Sequence, residues 1–390
     1  MNGNTLDLLK AAFWNCPVPS DAITEEVFQE LSDQAMQMLV YDVIDRCSME
    51  ESLRTKWKGL YKKFASVFLL YMEEQVFFVN VLRENGFTPV ILKGLSAAMY
   101  YPEPMYRALG DIDAFPFPGG EEHFDRLKVL LKEKGYSLSE DINPRHLAYH
   151  KRGLRYEIHR YFSEKATDGE IELDKIIECS TPVERRFEGF PDHHFYSFPD
   201  EVNGLILLQH IHMHITAGLG LRQIVDWMFF VESVVTDAFW QQKLKPLTDR
   251  TGLTTLAVTV TKMCEIFLGE PEHSWTSDAD ENACEELFIL LDEYGNFGRK
   301  MNQRDSAVSS ILNQRIGGLK GLQQRGLSHW PAAQKHKLLR PFAWLYQICR
   351  YVKKGLFERD PNSEGLFKNF KRHRRQKKLF EKLEVGQYRK

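Results

Sequence analysis

The residues best able to do chemistry in this chain are two aspartates, Asp111 and Asp113, in the segment Gly-Asp-Ile-Asp-Ala-Phe. Their i, i+2 spacing on a predicted strand places both side chains on one face, because successive strand residues point to opposite faces. Two ionised carboxylates this close repel each other unless a cation lies between them. Oxygen ligands suit Mg²⁺, which proteins usually hold through one or two carboxylates together with substrate phosphates. The pair therefore predicts a divalent-metal site for phosphate chemistry.

A third candidate acid, Glu157, lies in a predicted β-hairpin. Two apolar-rich segments, 146–150 and 154–161, flank Gly153, a pattern typical of an antiparallel hairpin with its turn at the glycine. Alternation along the second segment places Glu157 and His159 on the same face. An acid flanked by apolar residues on a strand is not a typical surface residue, so Glu157 is a candidate for the same site.

The role of Glu157 depends on the strand that lies beside it. If the Glu157 strand pairs with the Asp111 strand and their faces match, the three carboxylates form a cluster able to hold two metal ions. Glu157 or Asp113 would then assist deprotonation of an acceptor oxygen. In the alternative interpretation, Glu157 is only the ion-pair partner of Arg155 or Arg160.

The elements that must position these acids form an α/β region. The apolar run before Gly94 predicts a strand over 88–93, and the acids lie on a second strand over 111–117. Helical patterns over about 95–103 and 120–134 follow the two strands. Pro116 cannot donate to a strand ladder, which predicts an edge strand or a strand end at that point.

Helical patterns occupy both sides of this region. From about residue 20 to 84, apolar residues recur at three- and four-residue steps, and Asn85-Gly86 ends this segment. Beyond about residue 199 the sequence predicts a series of helices separated by short breaks, at about 202–215, 221–234, 236–249, 252–268, 281–296 and 336–357. The C-terminal part of the chain is therefore predicted to be helical.

Three motifs carry a resemblance to a known family. They are L-K-G-x-S at 92–96, R-x-L-G-D-I-D at 107–113 and Y-E-I-H at 156–159. Together they resemble an uncharacterised bacterial nucleotidyltransferase family of the polymerase-β-like superfamily. The core of the resemblance covers about residues 88–160 and extends more weakly over 210–227. It implies an enzyme that uses a nucleoside triphosphate.

The resemblance also implies roles for individual residues. A glycine-opened helix start would bind nucleotide phosphates, since backbone N–H groups there form an anion site. Carried over by motif, the nucleotide-binding positions are Lys93, Gly94, Ser96, Arg107 and Gly110, and the catalytic and magnesium-binding positions are Asp111, Asp113 and Glu157. Leu95 separates Gly94 from Ser96, whereas the superfamily signature usually has the glycine adjacent to a serine or a second glycine. A two-ion Mg²⁺ site is expected, in which Mn²⁺ can substitute.

A second group of polar residues lies in the predicted C-terminal helices. On a helix, His210 and His214 share a face one turn apart, as zinc ligands can, but no cysteine or acid follows at a telling distance. Arg222 and Asp226 form an i, i+4 pair. The resemblance includes a similar histidine-rich helix, so these four residues and His159 are candidates for the cleft or the acceptor site. Purely structural packing is the alternative.

Composition limits the function classes. The chain has 390 residues, of which 43% are hydrophobic, and six cysteines without a C-x-x-C pair, so neither a disulfide framework nor a zinc ribbon is indicated. No uninterrupted apolar run approaches membrane-spanning length, and the N-terminus lacks a signal-peptide pattern. We therefore expect a cytoplasmic protein with no membrane partner.

Charge argues against a surface devoted to nucleic acid. The formal net charge is −3, although residues 368–378 contain seven Lys or Arg in eleven positions. A solvated helix face is the favoured interpretation of this run, and a phosphate-rich partner such as RNA or DNA, bound through charge, is the alternative.

The sequence therefore predicts an α+β protein with a polymerase-β-like nucleotidyltransferase core, a small mixed sheet with helices. We expect an N-terminal helical segment (1–86), the core (87–198), a helical C-terminal domain (199–358) and a basic tail (359–390). The predicted activity is Mg²⁺-dependent transfer of a nucleoside monophosphate from a nucleoside triphosphate to an unidentified acceptor, with release of pyrophosphate. The alternatives are a nucleotide-sugar glycosyltransferase, and a non-catalytic protein that binds a nucleotide or a partner.

Overall fold

The protein is described from a computed structural model. The structure describes residues 1–117, 119, 121–139, 143, 145–165, 167–187, 190–215, 218–296, 299, 322–323, 326–327, 329–353 and 366–384.

A seven-stranded mixed sheet lies at the centre of the fold, with the strand order β3-β4-β5-β2-β1-β7-β6. The strands are β1 (Thr88–Leu92), β2 (Ile112–Phe117), β3 (Ser137–Leu138), β4 (His146–Lys151), β5 (Leu154–His159), β6 (Val183–Phe187) and β7 (Phe190–Ser197). The pairs β2–β5 and β1–β7 are parallel, and the other four pairs are antiparallel.

The register between β2 and β5 brings the acid-bearing strands together. Asp113 lies opposite Glu157, and Ile112 and Ala114 lie opposite Tyr156 and Ile158. Since paired residues of neighbouring strands share a face, Asp113 and Glu157 point to the same side of the sheet. The predicted arrangement of the two strands, with matching faces, is confirmed.

The β4–β5 hairpin closes through Arg152 and Gly153, both with positive φ (49° and 80°). Two consecutive residues with positive φ are typical of a type I′ turn, whose twist matches that of the flanking strands. The predicted hairpin with its turn at Gly153 is therefore confirmed.

Fifteen α-helices have described bounds. They are α1 (Gly3–Trp14), α2 (Glu25–Asp33), α3 (Glu51–Glu84), α4 (Gly94–Ala98), α5 (Glu121–Glu133), α6 (Asp168–Cys179), α7 (Asp200–His214), α8 (Leu221–Val234), α9 (Asp237–Phe239), α10 (Lys245–Thr251), α11 (Thr254–Leu268), α12 (Glu281–Tyr294), α13 (Pro331–Lys335), α14 (Ala343–Val352) and α15 (Leu366–Lys382). A π-helical turn, Trp240–Leu244, joins α9 to α10. The predicted α+β fold, a small mixed sheet with helices, is confirmed.

Each face of the sheet packs against a different set of helices. One face, which carries Ile112, Ala114, Tyr156 and Ile158, packs against apolar residues of α3 and α5. The opposite face, with Leu92 and Phe115, belongs to a larger core that includes α7, α8 and α11. Residues of α1 and α2 join that same larger core. Asp113 and Glu157 therefore lie between the sheet and the C-terminal helices.

Several predicted elements differ from the observed ones. Asp111 precedes β2 by one residue. Pro116 is the penultimate residue of β2, as a strand end requires, but β2 is a central strand, so the edge-strand alternative is wrong. The pairing of β2 with β5 stops at Ala114, so no ladder partner on that side needs the missing N–H. The predicted helix over 336–357 is a 3-10 helix (Lys337–Phe342) followed by α14, and its last four positions lie outside the described residues.

The basic run falls on α15, which packs against α12. Arg375 forms an ion pair with Glu293 at 2.6 Å, and Gln376 donates to the Tyr294 hydroxyl at 2.8 Å. Leu379 is buried in the larger core. Side chains 366–373 lie outside the described residues. The described part of the run is a helix face with one side against the protein. The proposed division into domains and tail stays a prediction.

Within the described part of the chain, one helix, α3, is long and apolar enough to cross a membrane, as judged by length and composition alone. A bent pair of segments, Asp237–Thr251 with Thr254–Leu268, passes the same test jointly. Half of the most apolar window of α3 is buried within the protein, and core helices of water-soluble proteins also meet this criterion. The absence of a membrane partner stays an expectation.

Gly169 allows α6 to approach α10 closely, and this contact gives a stability prediction. A Cβ at Gly169 would lie 2.1 Å from the Thr251 carbonyl oxygen, which is part of the backbone and cannot rotate away. We expect Gly169→Ala to lower the free energy of unfolding by about 1–3 kcal/mol, as overpacking does.

Gly59, at an exposed interior position of α3, is the matched control because nothing lies within 4 Å of a Cβ there. Gly59→Ala should raise the free energy of unfolding by about 0.5–1 kcal/mol through helix propensity. Urea denaturation of both variants measures the two effects, and a shift of the same sign in both would contradict the close contact.

Candidate active site

A cavity of about 320 Å³ opens between the acid-bearing strands and α7. Acids, bases, two glycines, an asparagine and a methionine line it. They are Lys93, Gly94, Arg107, Gly110, Asp111, Asp113, Asn143, Arg145, His146, Arg155, Glu157, His159, His210, Met213, His214 and Arg222. Eleven of the thirteen residues predicted from the sequence for the site or its surroundings line this cavity. A twelfth, Asp226, contacts the lining residue Arg107. The remaining one, Ser96, is buried in α4.

Three carboxylates meet in this cavity. Asp111, Asp113 and Glu157 each offer an oxygen atom, and these three atoms lie within 4.8 Å of one another. The β2–β5 register produces this convergence, because it sets Asp113 directly beside Glu157. Oxygen atoms at this spacing can hold a divalent cation.

Lys93 lies at a strained turn between β1 and α4 and points its charge at the acids. Lys93 and Gly94 both have positive φ, 47° and 46°, and for a lysine this conformation costs energy. Lys93 Nζ lies 3.0 Å from Asp113 Oδ1. The turn therefore delivers a cation to the carboxylates on the neighbouring strand.

His159 contacts the same oxygen of Asp113, with its Nε2 at 2.7 Å. Burial alone would raise the pKa of Asp113, but the Lys93 charge and the His159 hydrogen bond outweigh burial. The pKa of Asp113 is consequently held well below its ordinary value, so this buried carboxyl is ionised.

Asp111 has the opposite electrostatic balance. The charge of Asp113 and burial raise its pKa above the ordinary value, and Lys93 only partly opposes them. The Tyr71 hydroxyl donates to the Gly110 carbonyl oxygen and so holds the backbone immediately before Asp111. Nearby positive charge and hydrogen bonds thus do not fully offset the repulsion and burial that disfavour the ionised form of Asp111.

Glu157 is held by neighbours on β4 and β5. Arg155 Nε and Nη2 each lie 2.9 Å from Glu157 Oε1, and His146 Nε2 lies 3.4 Å from the same atom. Glu157 therefore belongs to the acid cluster and also forms an ion pair with Arg155, so the two predicted alternatives occur together. Burial, His159 and Arg145 lower the pKa of His146 to about 3, so its imidazole is neutral.

A buried ion pair connects the segment before the acids to α8. Arg107 Nε and Nη2 donate to the two oxygens of Asp226, both at 2.7 Å, and the Tyr101 hydroxyl donates to Asp226 Oδ1 at 2.6 Å. Both charged side chains are almost fully buried. Arg222 adds a hydrogen bond of 3.1 Å from Nη1 to the Ala108 carbonyl oxygen. Arg107, predicted as a phosphate contact, thus forms its paired hydrogen bonds with Asp226 instead.

The histidines of α7 line the helical wall of the cavity. The His210 and His214 rings pack edge to face with centroids 4.6 Å apart. Burial, followed by the charges of His214 and Lys93, lowers the pKa of His210 well below its ordinary value. Among the described residues, neither histidine belongs to a cluster of side chains that could hold a metal ion.

A second such cluster lies beside the three carboxylates and consists of His146, Glu157 and His159.

Sequence reasoning missed several cavity residues on the β4 side and on α7. Asn143, Arg145, His146 and Met213 line the cavity without belonging to a recognised motif. His146 could have been found, because antiparallel pairing across the predicted hairpin sets it opposite His159 on the same face. Asn143 and Arg145 precede β4, so strand alternation does not place them.

Comparison with known proteins matches the chain to a protein family. The sequence profile of a family described as an uncharacterised nucleotidyltransferase matches residues 22–269. This range covers more than half of the chain and includes every sequence-predicted site residue. No curated protein matches the chain significantly.

The different environments of Asp111 and Asp113 predict opposite effects of the same substitution. In metal-free buffer at pH 7, Asp111→Asn should raise the free energy of unfolding, because it removes a charge that the folded state disfavours. Asp113→Asn should lower it by on the order of 1–3 kcal/mol, because it weakens the contacts with Lys93 and His159. Urea denaturation in the presence of a chelator measures both.

The pH dependence gives a second check on these two variants. The raised pKa of Asp111 means that wild type loses stability relative to Asp111→Asn as the pH rises from the ordinary value of 3.8 through the folded-state pKa. The contribution of Asp113 is present above 3.8 and is lost as the pH falls through its lowered pKa. Shifts of equal sign at pH 7 would contradict this electrostatic asymmetry.

Removal of Asp226 should be strongly destabilising. Asp226→Ala leaves the Arg107 guanidinium buried without its counterion, and breaking a buried pair in this way costs about 3–5 kcal/mol. The exposed ion pair of Asp125 with Lys128 provides the control, and Asp125→Ala should leave the urea midpoint unchanged. If the two variants unfold at the same midpoint, the buried pair does not anchor the segment before the acids.

Proposed function

Because the chain belongs to this family of uncharacterised nucleotidyltransferases, we propose that it transfers a nucleoside monophosphate from a nucleoside triphosphate to an acceptor oxygen and releases pyrophosphate. The observation that supports this most directly is the convergence of Asp111, Asp113 and Glu157 beside the glycine turn that follows β1. Three carboxylates next to a turn rich in backbone N–H groups suit a substrate that carries phosphates and a divalent metal.

The donor set fits Mg²⁺. All three groups of the cluster are carboxylates, which are hard oxygen ligands, and their ligand atoms lie within 4.8 Å of one another. Asp111, Asp113 and Glu157 would hold the ion, and Mn²⁺ fits the same ligands. When bound, the metal would neutralise charge on the phosphates and orient them. The Asp111 carboxylate, whose ionised form is the least compensated by the protein, gains most from such a cation.

The residues of the chain itself supply binding and orientation. Gly94 opens α4 and lines the cavity together with the acids, so phosphate oxygens can approach its backbone from the cavity. Lys93 lies within reach of Asp113 and carries a positive charge on the same side. We propose that Lys93 and the Gly94 turn position the triphosphate next to the acids.

Glu157 is the proposed proton acceptor. Its Oε1 is held by Arg155 and lies near His146, so the carboxylate is fixed in orientation on the strand beside Asp113. In the transfer, an acceptor O–H would give its proton to Glu157 while its oxygen bonds to the α-phosphorus. The bond from that phosphorus to the bridging oxygen breaks at the same time, and pyrophosphate carries away the electron pair.

Nucleotide binding tests the proposal. Wild-type protein should bind at least one of the four ribonucleoside triphosphates in a Mg²⁺-dependent manner, and Asp111→Asn/Asp113→Asn should lose this binding by tenfold or more because the carboxylate charges are gone. Asp125→Asn/Asp237→Asn is the matched control, since it removes two exposed aspartate charges away from the cavity. Isothermal titration calorimetry with and without Mg²⁺ makes the measurement.

Product analysis with the nucleotide that binds separates the alternatives. Release of pyrophosphate supports nucleotidyl transfer, whereas release of a nucleoside diphosphate from a nucleotide sugar would indicate a glycosyltransferase. Folded wild-type protein that binds none of the four nucleotides would overturn the proposal.

A further inference from the structure

The cations that line the cavity differ in how they are neutralised. Lys93 is paired with Asp113, Arg107 with Asp226 and Arg155 with Glu157, each at 3.0 Å or less. These three charges are therefore balanced by carboxylates of the protein. Arg145 also lines the cavity, and within the part of the chain that the structure describes no carboxylate lies within 4.0 Å of its guanidinium.

Among the described residues, the guanidinium of Arg145 contacts uncharged atoms. Its Nη1 lies 3.1 Å from Met213 Sδ and 3.5 Å from the Phe162 carbonyl oxygen. A thioether sulfur is a weak acceptor, and the carbonyl is at the limit of hydrogen-bond distance. A partly buried guanidinium whose partners among the described residues are only these two keeps most of its capacity to bind an anion.

The backbone of Arg145 is nevertheless held firmly. Its N–H donates to Asn143 Oδ1 at 2.9 Å, and its carbonyl oxygen accepts from the Arg160 N–H at 2.7 Å. These bonds fix the residue immediately before β4, and the Met213 and Phe162 contacts direct the side chain toward α7 on the cavity side. The positively charged side chain of Arg145 therefore extends from a backbone position that hydrogen bonds hold in place.

The order of the strands determines which substrate Arg145 faces. Lys93 and Gly94 follow β1, on one side of β2, whereas β5 and β4 lie on the other side. Arg145, at the start of β4, therefore lies across Glu157 from the glycine turn. With the triphosphate at the glycine turn, the β4 side of the cavity remains for the acceptor.

We infer that Arg145 binds an anionic group, a phosphate or a carboxylate, on the acceptor. This inference rests on the proposed function, since it identifies the chemical class of the second substrate. The planar guanidinium offers two parallel N–H groups to such an anion, which fixes the orientation of the acceptor as well as its position. The acceptor would then carry its attacking oxygen next to Glu157 and its anionic group next to Arg145.

Inorganic phosphate is the probe that tests this inference. Wild-type protein would be titrated with phosphate in the presence of Mg²⁺ and a nucleoside triphosphate analogue with a methylene group between the α- and β-phosphorus, and also without the analogue. Wild type should bind phosphate with the analogue present, and Arg145→Met should bind it at least tenfold more weakly. Arg145→Lys should lie between them, because lysine keeps the charge but not the two-pronged geometry.

Arg250→Met is the control, because Arg250 is an exposed arginine paired with Glu172 outside the cavity. It should bind phosphate as wild type does. Repetition of the titration with acetate distinguishes the two sources of the anion, since a site built for carboxylates binds acetate and one built for phosphate monoesters prefers phosphate.

The outcomes separate this inference from the proposed function. Equal phosphate binding by wild type and Arg145→Met, or none by wild type, would overturn the inference even if the analogue binds. Loss of analogue binding in Arg145→Met would place Arg145 among the donor contacts and also overturn it. Failure of every protein to bind the analogue would count against the proposed function, whereas Arg145-dependent phosphate binding without the analogue would still support the anion site.

Discussion

Repulsion among three carboxylates within 4.8 Å is the constraint on which the arrangement of the site depends. At this spacing the acids cannot all be ionised without cations or hydrogen-bond donors nearby. Lys93 and His159 supply these for Asp113, and Arg155 supplies them for Glu157, which leaves Asp111 with the smallest share. The cavity is therefore partly compensated by the protein and retains the capacity to attract a further cation.

The cost of this compensation is visible in the backbone. Lys93 has a φ of 47°, a conformation that lysine rarely adopts, and it is followed by Gly94 with nearly the same φ. The rest of the fold keeps the surrounding backbone in place, because the segment before the acids is tied to α8 through Arg107 and Asp226, and to α3 through Tyr71. Strain at one turn is thus tolerated because strong buried contacts determine the position of its neighbours.

Much of the acid cluster could be predicted from the sequence, because strand alternation is a local property. The spacing of Asp111 and Asp113, and of Glu157 and His159, fixed the face of each side chain before any pairing was known. Alternation could not establish that β2 and β5 are neighbours or that Asp113 lies opposite Glu157. The resemblance supplied only the expectation that the three acids belong to one site. The central position of β2 was not predicted, since a proline such as Pro116 suggests an edge.

Contacts between distant segments escaped prediction for the same reason. Asp226 was read as the i, i+4 partner of Arg222, but two nitrogens of Arg107, 119 residues earlier, hold both of its oxygens. Helical periodicity predicts which residues are neighbours on one helix. It gives no information on an arginine from a distant segment that packs against that helix. Cavity residues before β4, such as Asn143 and Arg145, belong to an irregular segment and carry no periodic signal at all.

The two ends of the cavity differ in whether their positively charged side chains are paired with carboxylates. On the β1 side, Lys93 is already engaged with an acid, so an incoming triphosphate and a cation would share and redistribute existing contacts. On the β4 side, Arg145 has only a sulfur and a carbonyl oxygen as polar partners for its guanidinium among the described residues, so an anion there would make a new contact without displacing a carboxylate. The two ends of the cavity therefore differ in how they bind a ligand. Binding at the β1 end exchanges one ionic contact for another, whereas binding at the β4 end neutralises a charge that has no carboxylate partner among the described residues.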